Sequence, residues 1–187
     1  RGARDLRVYY NLGNAYHEHG NLDAALEAYR RGASVAERPD GQLTVNIAKT
    51  LMQLGRPEDA RSALESYVSH ARSSTPSSEG ETVGDAAAPS APIARAPFLL
   101  GNLAYDRQEY EAAATYYENA VDADASLALA WFNLGNSYFE LEQYREAASA
   151  FDRVYRLEPD NDDAIHNLGL SYLSLAEELS AEEGEQE

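Results

Sequence analysis

The chain has 187 residues and no cysteine, which excludes disulfides, cysteine nucleophiles and zinc sites with cysteine ligands. Its 32 acidic and 15 basic residues give a net charge of −17, which disfavours non-specific binding to nucleic acid or anionic membranes. No stretch approaches about 18 consecutive apolar residues, so we expect no insertion into a membrane.

The basic residues are almost all arginine, with Lys49 as the single lysine. An acidic surface with so little lysine favours a halophile's salt-rich interior, where screening weakens repulsion between carboxylates. A GC-rich genome combined with an acidic tail explains the same composition, and both interpretations stay open. The chain begins at Arg1 without a methionine, so we expect native N-terminal residues to be missing. The compartment is therefore unknown, with the cytoplasm slightly favoured.

In chain order, the sequence repeats a helical pattern centred on an aliphatic residue followed by a small one. These pairs are Leu12-Gly13, Ile47-Ala48, Leu100-Gly101, Leu134-Gly135 and Leu168-Gly169. Aromatic or apolar residues recur three or four positions away, which is the spacing of one helix face. Gly20 and Asn21 are predicted to form the turn between the two helices of the first repeat, and Gly55 to end the first helix of the second.

Successive pairs are 35, 53, 34 and 34 residues apart, so the second interval exceeds one repeat by about 19 residues. The excess lies in residues 73–96, which contain Val83 and Ile93 as their only large aliphatic residues. This segment cannot bury enough apolar surface to offset its ordering entropy, so we predict a flexible inserted loop. Because the flanking helices still have apolar faces to bury, we expect one domain over residues 1–187. Two arrays joined by a flexible linker are the alternative.

The clearest repeat covers residues 127–159 and predicts two amphipathic helices folded into a hairpin. Gly135 and Ala147 are small where their neighbours are large, so the two helix backbones can approach closely. Pro159 ends the second helix because proline has no N–H to donate. Trp, Leu-Gly, Tyr, Ala, Phe and Pro at these intervals resemble the tetratricopeptide (TPR) repeat, a helix pair of about 34 residues.

This resemblance implies an all-α fold, an α-solenoid in which about four helix-turn-helix repeats form a right-handed superhelix with a C-terminal capping helix. The predicted repeats are residues 6–39, 41–72, 97–125 and 128–159, followed by a capping helix over 162–179. Residues 180–187 are predicted to be a solvated acidic tail.

The sequence contains no catalytic constellation. His17 and His19 are two residues apart, so on a helix they point in nearly opposite directions and cannot share a metal ion. Asp162 and Asp163 lie where acids favour the start of a helix. No glycine-rich phosphate loop is present. We therefore predict a protein that is not an enzyme and that needs no cofactor or metal.

Asparagine flanks the aliphatic–small pairs at seven of ten positions, although it is a modest helix former. It precedes them as Asn11, Asn46, Asn133 and Asn167, and follows them as Asn14, Asn102 and Asn136. The exceptions are Leu99, Lys49 and Leu170. These positions lie off the core face, and an amide offers both a donor and an acceptor to the peptide groups of a bound chain. Hydrogen bonding between adjacent repeats is the structural alternative, and the two roles are compatible.

The row of asparagines resembles the asparagine ladder of the TPR superhelix in O-GlcNAc transferases and nuclear-import adaptors, which grips peptide backbones. It also partly resembles the carboxylate clamp of chaperone-binding TPR domains, in which Asn14 and Asn46 would correspond to clamp residues. The first lysine of that clamp falls on Tyr10, however, and its later basic pair falls on Arg95 and Leu99.

The same predicted surface carries other candidate ligand-binding residues. Tyr10, Phe98 and Phe132 could anchor apolar side chains of a partner or form a second packing surface. Arg7 and Lys49 would place scarce positive charge near an acidic or C-terminal peptide.

The sequence thus predicts a protein-interaction module that binds an extended peptide segment of a partner protein in a concave groove. Two alternatives stay open: a self-associating structural subunit that forms homo-oligomers, and the substrate-recruiting arm of a larger enzyme.

Overall fold

The computed structural model describes residues 2–73 and 91–184, and within these ranges the chain forms helices and no strands. The described helices are α1 (Gly2–Glu18), α2 (Leu22–Val35), α3 (Gly41–Gln53), α4 (Pro57–Ser73), α5 (Ala91–Tyr105), α6 (Tyr110–Ala123), α7 (Ala128–Glu140), α8 (Tyr144–Leu157) and α9 (Asp162–Gly184). The prediction of four helix pairs followed by a ninth helix is confirmed. Most of the predicted loop, residues 74–90, lies outside the described residues.

The helices fall into two compact units, Arg1–Leu100 and Gly101–Glu187, with the boundary inside α5. In the first unit α2 packs on α1, α3 on α2 and α4 on α3. In the second unit α7 packs on α6, α8 on α7 and α9 on α8. Each unit is therefore a stack of consecutive helices, as the recurring helix faces predict.

The turn inside each helix pair contains one residue in the left-handed backbone region. Gly20 and Gly55 have φ values of +74° and +71° there, which glycine adopts without strain because it has no Cβ. The predictions that Gly20 lies in the turn between α1 and α2 and that Gly55 follows the end of α3 are confirmed. Gln108 and Glu142 take the same conformation in the later pairs, with φ values of +62° and +59°. The four described turns therefore share one backbone geometry, but the last two lack the glycine that favours it.

Three of the described helix pairs, α1–α2, α5–α6 and α7–α8, close around a glycine on the first helix, in a gap that we call the glycine notch; the α3–α4 pair has Ala48 at this position. A Cβ built on Gly101 would lie 2.5 Å from the ring of Tyr117, and one on Gly135 would lie 2.7 Å from the ring of Phe151. Gly13 meets the ring of Tyr29 in the same way. The rings are almost completely buried, so any larger residue in the notch would displace them.

Two predicted boundaries are wrong. Residues 91–96 belong to α5 and not to the predicted loop, so Pro97 lies inside a helix and does not start one. The first turns of α5 are held because Ala94 and Ala96 are buried, which outweighs the helix preference lost at the proline. The capping helix continues past its predicted end at 179 to Gly184, so residues 180–184 are helical and not a tail.

Candidate functional site

Six of the seven asparagines form three hydrogen-bonded pairs between consecutive first helices. The pairs are Asn14–Asn46 at 3.3 Å, Asn102–Asn133 at 3.2 Å and Asn136–Asn167 at 3.3 Å, measured from Oδ1 of the first to Nδ2 of the second. In each pair the asparagine that follows the glycine accepts from the asparagine that precedes the aliphatic residue of the next repeat. All six are half-buried. The arrangement repeats because the repeats stack with a constant register.

A tyrosine hydroxyl reinforces two of these pairs. Tyr29 donates to Oδ1 of Asn14 and Tyr117 donates to Oδ1 of Asn102, both at 2.8 Å. Burial raises the pKa of Tyr29 to about 12, and it also raises the pKa of Tyr117, so both hydroxyls stay protonated donors. In the α7–α8 pair Phe151 takes the tyrosine position, so no hydroxyl reaches the Asn136 pair from there.

Fully buried hydroxyls accompany the second asparagine of each pair. Thr50, Ser137 and Ser171 donate to the backbone carbonyls of Asn46, Asn133 and Asn167, at 2.8, 2.9 and 2.8 Å. Four residues after Asn11 and after Leu99 the chain has Ala15 and Leu103 instead. The asparagine and the hydroxyl therefore occur together on α3, α7 and α9, where a first helix stacks on the preceding repeat.

The residues that do not take part in an asparagine pair can be explained by their positions in the chain. Asn11 lies on α1, the first described helix, and it is exposed without a hydrogen bond to any described residue. Lys49 stands where a pair with position 99 would form, and position 99 is a leucine. Desolvation and the positive charge of Arg95 lower the pKa of Lys49, so two cations lie near each other in the first unit.

The predicted aromatic candidates contribute to packing within the helix pairs. The ring of Tyr10 lies 6.5 Å from that of Tyr29, and Phe132 packs edge-on against Phe151 with 5.6 Å between ring centroids. Tyr10 and Phe132 are half-buried, as is Phe98, whereas Arg7 is exposed. The interpretation of these aromatics as a second packing surface is therefore supported for Tyr10 and Phe132.

The sequence pattern did not predict the tyrosine hydroxyls and the buried hydroxyls that hold the asparagines. A signal was present: Tyr29 and Tyr117 each follow their asparagine by 15 residues, and Phe151 follows Asn136 by the same interval. The same interval of 15 residues, from an asparagine on one helix to an aromatic residue on the next, indicates a contact that recurs in these repeats.

Within the described part of the chain, no group of three or more His, Cys, Asp or Glu side chains could hold a metal ion. No helix in the same residues combines the length and apolar character needed to cross a membrane. The arrangement provides amide donors and acceptors on a stacked helical framework.

Such a framework of helix hairpins, with polar side chains bridging consecutive first helices, defines a helical-repeat scaffold. Family models described as tetratricopeptide repeat match residues 6–37, 42–66, 98–164 and 132–183. The chain belongs to the tetratricopeptide repeat family, and its fold is that of a protein-interaction scaffold. Proteins of this class are generally not enzymes.

Solved structures with similar folds include MamA proteins and YrrB. A MamA crystal structure is 21% identical, with a TM-score of 0.71, and the match covers 92% of this chain and 83% of that one. MamA from Desulfovibrio magneticus RS-1 is 18% identical, with a TM-score of 0.69 and coverages of 96% and 90%. YrrB, described as a TPR protein with an unusual peptide-binding site, is 19% identical, with a TM-score of 0.59 and coverages of 84% and 71%. No curated protein sequence matches the chain.

Proposed function

We propose that this protein binds an extended segment of a partner protein along the surface that carries its asparagine pairs. The observation that supports this proposal is the amide capacity that the pairs leave unused. In the Asn136–Asn167 pair, Oδ1 of Asn136 and Nδ2 of Asn167 bond to each other. Nδ2 of Asn136 and Oδ1 of Asn167 make no hydrogen bond with any described residue. A peptide group presents one acceptor and one donor, which matches this unused donor and acceptor.

The other two pairs leave the same atoms unused, so the first unit offers one such match and the second unit offers two. Contacts to backbone amides are independent of the ligand's side chains, so the asparagines supply affinity for any extended segment. The half-burial of the pairs also lowers the local dielectric and strengthens each hydrogen bond.

The positive charges on this surface determine which extended segments of a partner it binds. Lys49 and Arg95 hold two positive charges near each other. Desolvation, and after it the charge of Arg95, lowers the pKa of Lys49, and a bound anion would offset the repulsion between the two cations. We therefore favour a ligand with an acidic side chain or a free C-terminal carboxylate at this point. On a chain with a net charge of −17, such a local cationic site also orients the encounter.

A peptide-binding experiment tests the proposal. Arrayed extended peptides, with free or amidated C-termini, would be bound to the wild-type chain and to an Asn136→Ala/Asn167→Ala variant. This pair is chosen because Phe151 donates no hydroxyl to it, so its removal disturbs the fold least. Asn11→Ala serves as the matched control, because Asn11 is exposed and lies outside every pair.

The proposal expects the double variant to lose binding of its selected peptides about tenfold or more, with an unchanged melting temperature, while Asn11→Ala keeps most binding. A variant that binds like the wild type would show that the pairs only join repeats. A large drop in melting temperature would support the same structural role.

A further inference from the structure

The negative charge of this chain is concentrated in its second compact unit. Counting Lys, Arg, Asp and Glu, residues 1–100 contain 11 basic and 12 acidic residues, a net charge of −1. Residues 101–187 contain 4 basic and 20 acidic residues, a net charge of −16. Because the repulsive energy within a unit grows with the square of its net charge, it is roughly 250-fold larger in the second unit than in the first, which is of similar size.

Local contacts show that carboxylates of the second unit meet across different helices. The hydroxyl of Tyr138 on α7 donates to the carboxylate of Glu118 on α6. Burial raises the pKa of Tyr138, and the hydrogen bond to Glu118 and the charges of Glu118 and Glu146 raise it further. Glu146 lies on α8, so carboxylates from α6 and α8 approach the same hydroxyl on α7. The repulsion therefore acts between packed helices, where it opposes their packing.

The second unit has few cations that could offset this repulsion. Its four basic residues are arginines, and none of them lies on α7 or α9. Arg156 forms an ion pair with Asp152 at 2.7 Å, and the guanidinium of Arg153 lies 5.4 Å from the centre of the Trp131 ring. If every arginine neutralised one carboxylate, 16 carboxylates would still be left. In the first unit, by contrast, the basic and acidic residues almost balance.

Dissolved salt determines the distance over which these charges act on each other. The Debye length is about 30 Å at 0.01 M ionic strength and about 8 Å at 0.15 M. A compact unit of 87 residues has a radius of gyration of about 12 Å. At the lower ionic strength every carboxylate of the second unit therefore repels every other one, whereas at the higher ionic strength only near neighbours repel each other.

We propose that ionic strength controls the folding of the second unit: at low ionic strength self-repulsion unfolds it while the first unit stays folded, and salt restores it. This control extends to the candidate site, because the pairs Asn102–Asn133 and Asn136–Asn167 both belong to the second unit and form only when its first helices are stacked. The inference does not depend on what these pairs bind. It adds a regulation of two of the three pairs by salt.

Two probes follow the units separately in the whole chain. Trp131 is the single tryptophan, it is half-buried, and its indole N–H donates to the carbonyl of Ala125 at 3.0 Å. Its fluorescence therefore reports on the second unit during unfolding by urea, which is uncharged and leaves the ionic strength unchanged. Hydrogen exchange measured by mass spectrometry follows α3 in the first unit and α7 in the second in the same solutions.

The two probes should respond differently to salt. Lowering the ionic strength from about 0.15 M to about 0.01 M should lower the urea midpoint reported by Trp131 by about 1 M. Protection of the backbone amides of α7 should fall at least tenfold over the same change, whereas protection in α3 should change by less than twofold, because the first unit is almost neutral.

Glu140 and Glu18 provide a matched pair of variants. Each is the last residue of its helix, and each is exposed without an ion pair to any described residue. Glu140→Lys changes the net charge of the second unit from −16 to −14, whereas Glu18→Lys changes that of the first unit from −1 to +1 and leaves its magnitude unchanged. Lysine interacts favourably with a helix C-terminus in both variants, so a larger effect at Glu140 measures the relief of repulsion.

At low ionic strength, Glu140→Lys should raise protection in α7 about fivefold, against about twofold or less for Glu18→Lys in α3. The two gains should become similar at the higher ionic strength. Equal gains at low ionic strength would overturn the proposal. So would a Trp131 midpoint that does not change with ionic strength, and so would an equal loss of protection in α3 and α7, which would assign the effect to the whole chain.

A comparison of salts separates screening from the binding of one particular ion. Sodium, potassium and tetramethylammonium chlorides should restore the second unit equally at the same ionic strength, because screening depends on charge and concentration. A single cation that restores the unit when the others do not would show specific ion binding, contrary to the proposal.

Discussion

The glycine notches allow one substitution to be compared at a filled and an open site of the same unit. Gly135→Ala places a Cβ 2.7 to 2.9 Å from three ring carbons of Phe151, a residue with no exposed surface. Gly169→Ala places the same Cβ where no atom lies within 4 Å. Both glycines lie in helices, so the gain in helix propensity is common to the two variants.

The magnitudes separate the two variants clearly. Replacing a helical glycine by alanine stabilises a protein by about 0.4–1 kcal/mol, so Gly169→Ala should be more stable than the wild type. Overpacking at Phe151 costs about 1–3 kcal/mol, because the ring is held by Phe132 and cannot move into solvent. The free energies of unfolding of the two variants should therefore differ by about 1–3 kcal/mol.

Urea unfolding followed by circular dichroism measures this difference, and thermal unfolding provides a check. For a chain of this size, 1 kcal/mol corresponds to about 2–4 °C in melting temperature. If Gly135→Ala were as stable as Gly169→Ala, the inference that the ring of Phe151 requires glycine would be wrong.

Three further predictions concern the hydrogen bonds, a turn and the response to pH. A double-mutant cycle of Asn102→Ala and Tyr117→Phe should give a coupling of about 0.5–1.5 kcal/mol in urea unfolding, and additive effects would contradict a direct bond. Glu142→Gly should raise the melting temperature, because glycine relieves a left-handed conformation that costs about 1–2 kcal/mol and loses only part of that gain to chain entropy; an unchanged or lower value would refute this. The pKa of Tyr29 is about 12 in the folded chain and about 10 unfolded, so its stabilising effect is complete below pH 10 and is lost as pH rises towards 12. The difference in unfolding free energy between wild type and Tyr29→Phe should shrink across that window, and a constant difference would exclude the linkage.

The fold could be predicted from the sequence because the residues that define it can pack in only one arrangement. The Leu-Gly pair at 134–135 predicts a close helix approach, and the ring of Phe151 is found over that glycine. The start of α5 was not predictable in the same way. Pro97 favours a helix start locally, and only the burial of Ala94 and Ala96 in the folded chain shows that the helix begins earlier.

The sequence predicted which residues form the candidate site, but it did not predict which groups their side chains contact. The asparagine spacing identified six residues that the structure joins in pairs, but an amide side chain can point to a neighbouring repeat or to a ligand with equal ease. Only the relative placement of two first helices, whose paired asparagines are 31 or 32 residues apart in sequence, decides between these directions. The structure shows that in each pair Oδ1 of the first asparagine and Nδ2 of the second bond to each other.

The asparagine pairs also make the repeat a self-contained unit of insertion. Duplicating residues 133–166, which number 34, would place a new Asn133 opposite the existing Asn136 and a new Asn136 opposite Asn167. Ser137 would be copied with them, so both junctions would be complete without any further change. Each added copy should then increase the free energy of unfolding by the contribution of one repeat and one interface between repeats, as in a one-dimensional array of coupled units. The hydrogen-bonding pattern of a single helix pair thus sets a rule by which the length of this protein can grow.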